Sequence, residues 1–194
     1  MRHDLHVPGF AFGLRPVTLE DAEFIVELRS NPQRARFLHP ILPSVEAQRD
    51  YLKQYFERED DYYFVVERHR DNSPEGLIGI YNVGLKEQTA DVGRWILRPG
   101  SLAPVESYLR IFEAAFDRLR LEQVCTHVIV ENRSVVSFHD HCGLKRRAIR
   151  RDHNTFGGRS YDAVEHFLDR CDWPQVRELL ESRARMIAQH MERA

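Results

Sequence analysis

Cysteine is scarce in this chain. Cys125, Cys142 and Cys171 are its three cysteines, an odd number with no C-x-x-C pair, which argues against a disulfide framework and suits a reducing, cytoplasmic setting. Long apolar runs are missing too: none approaches the ~20 residues that span a bilayer, so no membrane partner is expected. Met1 to His6 holds no apolar stretch, so no secretory leader is expected. Surplus charge is absent as well. Lys and Arg number 28 against 30 Asp and Glu, a formal charge of −2, which argues against a nucleic-acid partner held by bulk charge. Internal repeats, low-complexity tracts and linker-like stretches are also absent. What remains is an ordinary globular composition, 42% hydrophobic and 30% charged, which excludes a disordered chain. At about 150 residues per domain, the 194 residues read as a single domain over 1–194, with a core at about 12–168 and a C-terminal helix at 173–193.

Strand and helix signals alternate, as in layered α/β or α+β folds. Phe12 to Arg15 reads as a short strand. Thr18 reads as an N-cap, with Glu20 and Asp21 in the first turn of a helix that carries Leu19, Ala22, Ile25 and Val26 on one face. That helix stops near Ser30-Asn31-Pro32, since a residue before proline avoids the α region. A second helix runs from Ser44 to about Arg58 on a stripe of Val45, Leu52 and Phe56. Tyr62 to Glu67, Leu77 to Val83 and Thr89 to Leu97 follow with short links and read as an antiparallel meander. Pro104 opens a helix at its favoured first position, with Val105, Tyr108, Leu109, Phe112, Ala115, Phe116 and Leu119 at helical spacing. Val124 to Val130 is almost continuously apolar, as a central strand should be. A short helix covers about Ser134 to His141 and ends at Gly143. Leu144 to Arg150 and Ser160 to Phe167 read as two last strands, joined by a loop holding Asn154, Gly157 and Gly158. Trp173 to Arg193 repeats Trp173, Val176, Leu180, Ala184, Ile187 and Met191 at helical spacing. Its apolar face packs on the core or binds a second subunit, for example in a homodimer.

This order of elements resembles the GNAT superfamily of acyl-CoA-dependent N-acyltransferases, over about residues 12 to 168. Leu14-Arg15-Pro16, Glu20-Asp21-Ala22 and Glu27-Leu28-Arg29-Ser30-Asn31-Pro32 resemble the start of the branch holding ribosomal-protein N-terminal and nucleotide-sugar N-acetyltransferases. Ala90-Asp91-Val92-Gly93-Arg94-Trp95-Ile96-Leu97-Arg98-Pro99 is similar to the family's fourth strand. Most specific is Asn132-Arg133-Ser134-Val135-Val136-Ser137-Phe138-His139-Asp140-His141-Cys142-Gly143-Leu144, similar to the family segment that runs from an asparagine through a tyrosine to Gly-Phe. The resemblance implies a mixed, mostly antiparallel central sheet of about seven strands flanked by helices, with acetyl-CoA as co-substrate and no metal.

The same resemblance assigns roles. Family members hold the CoA pyrophosphate on backbone N–H groups of a loop that opens a helix. Here that loop is Arg98-Pro99-Gly100-Ser101-Leu102-Ala103-Pro104. Arg98, Ser101 and Ala103 fit one spacing, Gly100 and Leu102 another, and Pro104 removes one donor. Either fewer amides together with the Arg98 guanidinium bind the pyrophosphate, or CoA binding has weakened. By resemblance the fourth strand parts from the fifth, with free amides near Ile96 and Leu97 aimed at the thioester; an ordinary paired strand is the alternative. Asn132 matches the asparagine that bonds the pantetheine arm, and would also serve as a helix cap.

Acetyl transfer needs a polarised carbonyl, a neutral amine, a proton for the departing thiolate and close positioning. His139 stands where the family often carries the tyrosine acid. An imidazolium donates well near neutral pH; a histidine that only fills the helix face is the alternative. Asp91 matches a strand position able to serve as base, directly or through water, or is a surface carboxylate. Tyr81 and Asn82 are further polar groups for the amine side. His139 and His141 cannot share a metal, because residues two apart on a helix point about 200° apart. Cys125 and Cys142 read as small buried hydrophobes.

For the acceptor, the resemblance points to the loop between the first two helices and the loop between the last two strands. These carry Arg29, Arg34, Arg36, Phe37, Leu38 and His39, and Asp152, His153, Asn154 and Phe156. Arginine forks suit an anionic acceptor, and Phe37 or Phe156 could stack on a base or sugar; a solvated cationic helix end is the plainer reading. The expected activity is direct acetyl transfer to a small-molecule amine, an amino sugar linked to a nucleotide. A protein or peptide α-amine is the alternative, with a polyamine or antibiotic amine third. A non-catalytic domain that binds acyl-CoA or a partner is the alternative of a different class.

Overall fold

The protein is described from a computed structural model that covers residues 2–84 and 86–193. In chain order it runs β1 (Phe12–Pro16), α1 (Ala22–Arg29), α2 (Val45–Tyr55), β2 (Tyr62–Arg68), β3 (Ser73–Gly84), β4 (Thr89–Leu97), α3 (Pro104–Phe112), β5 (Gln123–Ile129), α4 (Arg133–His141), β6 (Lys145–Phe156), β7 (Arg159–Asp169) and α5 (Trp173–Arg193). The seven strands form one sheet in the order β1-β2-β3-β4-β5-β7-β6. Every pairing is antiparallel except β4 with β5. This is the mixed, mostly antiparallel sheet with flanking helices that the family resemblance implies.

Local chemistry sets the elements. The Asp21 carboxylate accepts the Thr18 N–H at 2.8 Å and the Arg15 Nη1 and Nη2 donors at 2.8 and 2.7 Å. That carboxylate fixes the turn of 3-10 helix, Leu19–Asp21, that precedes α1. The Ala47 N–H donates to the Ser44 hydroxyl and starts α2. Pro104 sits in the first turn of α3. Beyond Phe112 the coil widens into π-helical turns over Glu113–Arg118, and the Leu119 N–H reaches back five residues to the Ala114 carbonyl. The apolar spacing showed a helix there but not its wider pitch.

The two sheet faces carry different layers. One face puts Phe64, Val66, Ile78, Ile80, Val92, Val124 and Leu168 against Tyr108, Leu109, Phe112 and Phe116 of the α3 segment and Trp173, Val176, Leu180 and Ala184 of α5. Each such large side chain contributes about 1.5–3 kcal/mol on burial. The apolar face of α5 is thus spent on the core. The opposite face puts Tyr63, Val65, Leu77 and Ile96 against α1 and α2.

Two irregularities shape the middle of the sheet. β4 and β5 pair only from Thr89↔Gln123 to Asp91↔Cys125, although β4 continues to Leu97 and β5 to Ile129. From Val92 onward the strands part. Between Gly79↔Gly93 and Leu77↔Ile96 the β3–β4 register slips, leaving Arg94 and Trp95 opposite Ile78, with Arg94 at a φ of 55°. This bulge keeps Gly93 and Arg94 on the α1–α2 side and turns Trp95 to the α3 side.

β6 corrects the sequence reading. It extends to Phe156, so the expected loop shrinks to the two-residue turn Gly157-Gly158, both at positive φ, as a tight hairpin demands. Asn154 lies inside a strand, paired with Tyr161. No helix among the described residues is long and apolar enough to cross a membrane.

Candidate active site

Where β4 and β5 part, the α1–α2 side of the sheet opens into a cavity of about 700 Å³, within the usual range for small-molecule sites. Its walls come from many parts of the chain: Arg29 and Phe37 to Leu42, then Ala47, Gln48 and Tyr51 of α2, Tyr63 of β2, and Tyr81 and Asn82 of β3. Asp91, Gly93 and Arg94 of β4, His127 and Ile129 of β5, and His153, Asn154 and Phe156 of β6 complete them. Of the residues singled out in the sequence for acceptor chemistry, Tyr81, Asp91, Asn82, Arg29, Phe37, Leu38 and His39 therefore meet in one place.

Strand alternation explains the polar wall. Tyr81 pairs with Asp91 and Asp91 with Cys125, so their side chains share a face, and His127 follows two residues on. Asn82 would point away, but a second slip in register, with φ of 53°, turns it back. Its amide donates to Asp91 Oδ2 at 2.8 Å. The other carboxylate oxygen lies 3.6 Å from His127 Nδ1. The His127 ring stacks on His153 with centroids 4.3 Å apart. Burial lowers the His127 pKa most; Asp91 opposes that shift and His153 adds to it. Tyr81 is pushed up to about 12, first by burial and then by the Asp91 charge, so it stays protonated. Burial works against the Arg94 charge, but Asp61, bound at 2.6 and 2.7 Å, more than offsets it.

His139 does not belong to this cavity. Its side chain lies on the α3–α4 side of the sheet and is 1% exposed. Nδ1 lies 3.0 Å from the Thr126 hydroxyl and Nε2 2.5 Å from the Tyr108 hydroxyl. Burial, then the neighbouring His166, lowers its pKa to about 3. The ring is neutral at neutral pH and both nitrogens have partners, so the imidazolium donor expected of His139 is not available. His141 lies on the exposed side of the same helix and bonds the Ser137 carbonyl, in keeping with the angular argument against a shared metal.

On the cofactor side, Ile96 pairs with Leu77 and Leu97 with Gly76, along the stretch of β4 that has left β5. The Leu97 carbonyl accepts a bond from Arg34. The Arg98 guanidinium lies over the Phe24 ring and 3.4 Å from the exposed Glu27 carboxylate of α1, with its own side chain 40% exposed. Within the loop the Ser101 N–H donates to the Arg98 carbonyl and the Ala103 N–H to the Ser101 hydroxyl, which occupies two of the expected amides. Gly100, at φ of 74°, and the exposed Leu102 complete the turn. The first-turn amides of α3 after Pro104 have no acceptor within the helix. The acidic residue in that turn, Glu106, is turned inward: it accepts the N–H groups of Phe10, Ala11 and Phe12 and pairs with Arg110. The helix end therefore presents no bare carboxylate to an anion. Asn132 precedes α4 without capping it, and its Oδ1 accepts from the Ser134 hydroxyl.

The sequence reading passed over His127, His153 as a partner to His127, and Arg94. One signal was present for His127. It interrupts an apolar central strand at the same parity as Cys125 and Ile129, the face left open to polar neighbours.

A family profile described as an acetyltransferase (GNAT) domain matches residues 12–145. Among solved structures, a GCN5-related N-acetyltransferase from Brucella melitensis aligns with a TM-score of 0.81 at 17% identity, covering 93% of this chain and 86% of that one. Spermidine N-acetyltransferase from Vibrio cholerae, solved with CoA and spermine, aligns with a TM-score of 0.77 at 20% identity, covering 86% and 99%. At these identities the structural likeness is one of fold. No curated protein matches the chain.

Proposed function

The chain belongs to the GNAT acetyltransferase family, and from that premise we propose that it transfers acetyl from acetyl-CoA directly to the amine of a small molecule, an amino sugar carried on a nucleotide. The supporting observation is the charge layout of the cavity. Among the described residues its lining holds one carboxylate, Asp91, and one guanidinium whose charge no carboxylate offsets, Arg29, which donates to the His39 carbonyl. Arg94 is neutralised by Asp61. Asp91 draws an ammonium to the β4 wall, Arg29 offers a partner to an anionic group, and Tyr51, Phe37 and Phe156 offer flat surfaces to a sugar or base. A polyamine carries several cations and would call for several carboxylates.

In this reading the acetyl thioester lies in the gap between β4 and β5, with backbone near Ile96 and Leu97 beside its carbonyl. The pyrophosphate lies at the turn Gly100-Ser101-Leu102-Ala103 and the α3 end, and Asn132 borders the pantetheine arm. Tyr81, kept protonated, takes over from His139 as the hydroxyl able to return a proton to the CoA thiolate.

Two measurements test this. CoA at a hundredfold excess over its dissociation constant should stabilise the protein by about 2.7 kcal/mol; no thermal shift at any CoA concentration would remove the cofactor. Thiol release should then be fastest with nucleotide-linked amino sugars. Faster turnover of N-terminal peptides or of spermine would overturn the acceptor, and CoA binding without turnover on any amine would leave an acyl-CoA-binding domain.

A further inference from the structure

We propose that His127 is the proton acceptor for the incoming amine, with Asp91 as the residue that positions its ring. The inference rests on the acetyl-transfer reading above and assigns the residue that reading leaves open.

The argument is geometric. Asp91 Oδ1 faces Nδ1 of His127 at 3.6 Å, while Asp91 Oδ2 is held by the Asn82 amide. A carboxylate facing Nδ1 favours the tautomer with its proton on that nitrogen, so the lone pair resides on Nε2. His127 lines the cavity, and its side chain retains 19% exposure against 21% for Asp91. Both are within reach of a bound amine, as the buried His139 is not.

The surroundings keep the ring neutral yet basic. On β4 the facing group is Asp91. On β6 they are His153, stacked on the ring, and Arg150; on β7 it is Glu165, the cross-strand partner of His127. On β3, Tyr81 and Asn82 border Asp91. Glu165 is held by Arg147 and Arg150, so its charge is largely spent, and two stacked imidazoles resist a shared protonation. Burial and His153 favour the neutral ring, and Asp91 favours the proton that arrives during reaction.

The step balances. Nε2 takes one proton from the ammonium, and the freed amine forms a C–N bond to the thioester carbonyl carbon. Collapse breaks the C–S bond. The second amine proton reaches the departing thiolate through the Tyr81 hydroxyl, giving CoA thiol and the amide. His127 then releases its proton to water.

The full-length protein is assayed with acetyl-CoA and the best acceptor of the panel. His127→Gln should lower kcat about 100- to 10,000-fold with little change in acceptor KM or CoA affinity. Wild-type kcat/KM should fall in acid, on a limb lying below the ordinary imidazole value of about 6.5 because burial lowers the ring's pKa, and that limb should vanish in the variant. Free imidazole should restore part of the rate in His127→Ala. Nitrogen-15 NMR of the unliganded protein reads the ring independently: the Nδ1–H tautomer at neutral pH in wild type, and mixed tautomers in Asp91→Asn. Wild-type turnover with an unchanged rate and acidic limb in His127→Gln would overturn the inference alone, as would an Nε2–H or protonated ring at neutral pH. No transfer to any amine by the wild-type protein would overturn both readings together.

Discussion

Thr126 and His127 are neighbours on β5, yet they serve opposite sides of the sheet. Thr126 points to the α3–α4 side and meets His139 at 3.0 Å. His127 points to the α1–α2 side and meets Asp91 at 3.6 Å. One histidine on β5 and another packed against its neighbour thus lie in different dielectrics. His139 is buried among hydroxyls and aromatic rings, with Tyr108 and Phe138 beside it. His127 keeps a cavity on one side. The contrast shows that a titratable side chain's role follows from what covers it.

The comparison can be broken by substitution, the largest effects first. Tyr81→Phe should lower kcat at least tenfold while leaving thermal stability near wild type, because the ring still fills its place against Arg94; an unchanged kcat would leave the thiolate to another donor. His139→Ala should do the reverse. It removes a buried ring and orphans the Tyr108 and Thr126 hydroxyls, a loss of about 2–5 kcal/mol in denaturant unfolding. Turnover should be retained in whatever fraction stays folded. Equal damage to turnover and stability in both variants would erase the distinction between the faces.

Glu106→Gln lies on the same buried side. It weakens bonds to three N–H groups and the pair with Arg110, at about 1.5–3 kcal/mol. Melting should show this, along with earlier proteolysis of the segment before β1. A smaller effect is one of pH. His139 titrates near 6.5 unfolded and at about 3 folded, so the unfolded chain binds the extra proton between these values. Its contribution is complete above the unfolded pKa and is lost as pH falls through that window. Melting temperature should drop with acid, less steeply in His139→Gln. The exposed pair of Arg151 with Asp162 is the control: Arg151→Ala should change stability by about 1 kcal/mol at most.

Much of the fold was legible because its signals are local. Pro104 and the apolar spacing after it gave α3, and turn residues separated the strands of the meander. The end of β6 was misread because Asn154 before Gly157-Gly158 has the composition of a loop, whereas pairing with Tyr161 makes it strand. In the candidate site, Asp91, Tyr81, Asn82 and Arg29 were legible as polar groups at cleft positions. His139 was misjudged because its partners, Thr126 and Tyr108, lie far off in sequence and on other elements.

The order of elements, the helix starts and the family were written in the chain itself, since period, proline placement and capping act within a few residues. Which face each residue occupies was decided only by the folded sheet. The slips in register at Asn82 and Arg94 are set by distant pairing, and a one-residue slip moves a side chain to the other side of the sheet. The proton affinities of His127 and His139 follow from that choice, because desolvation depends on the layer packed above each ring.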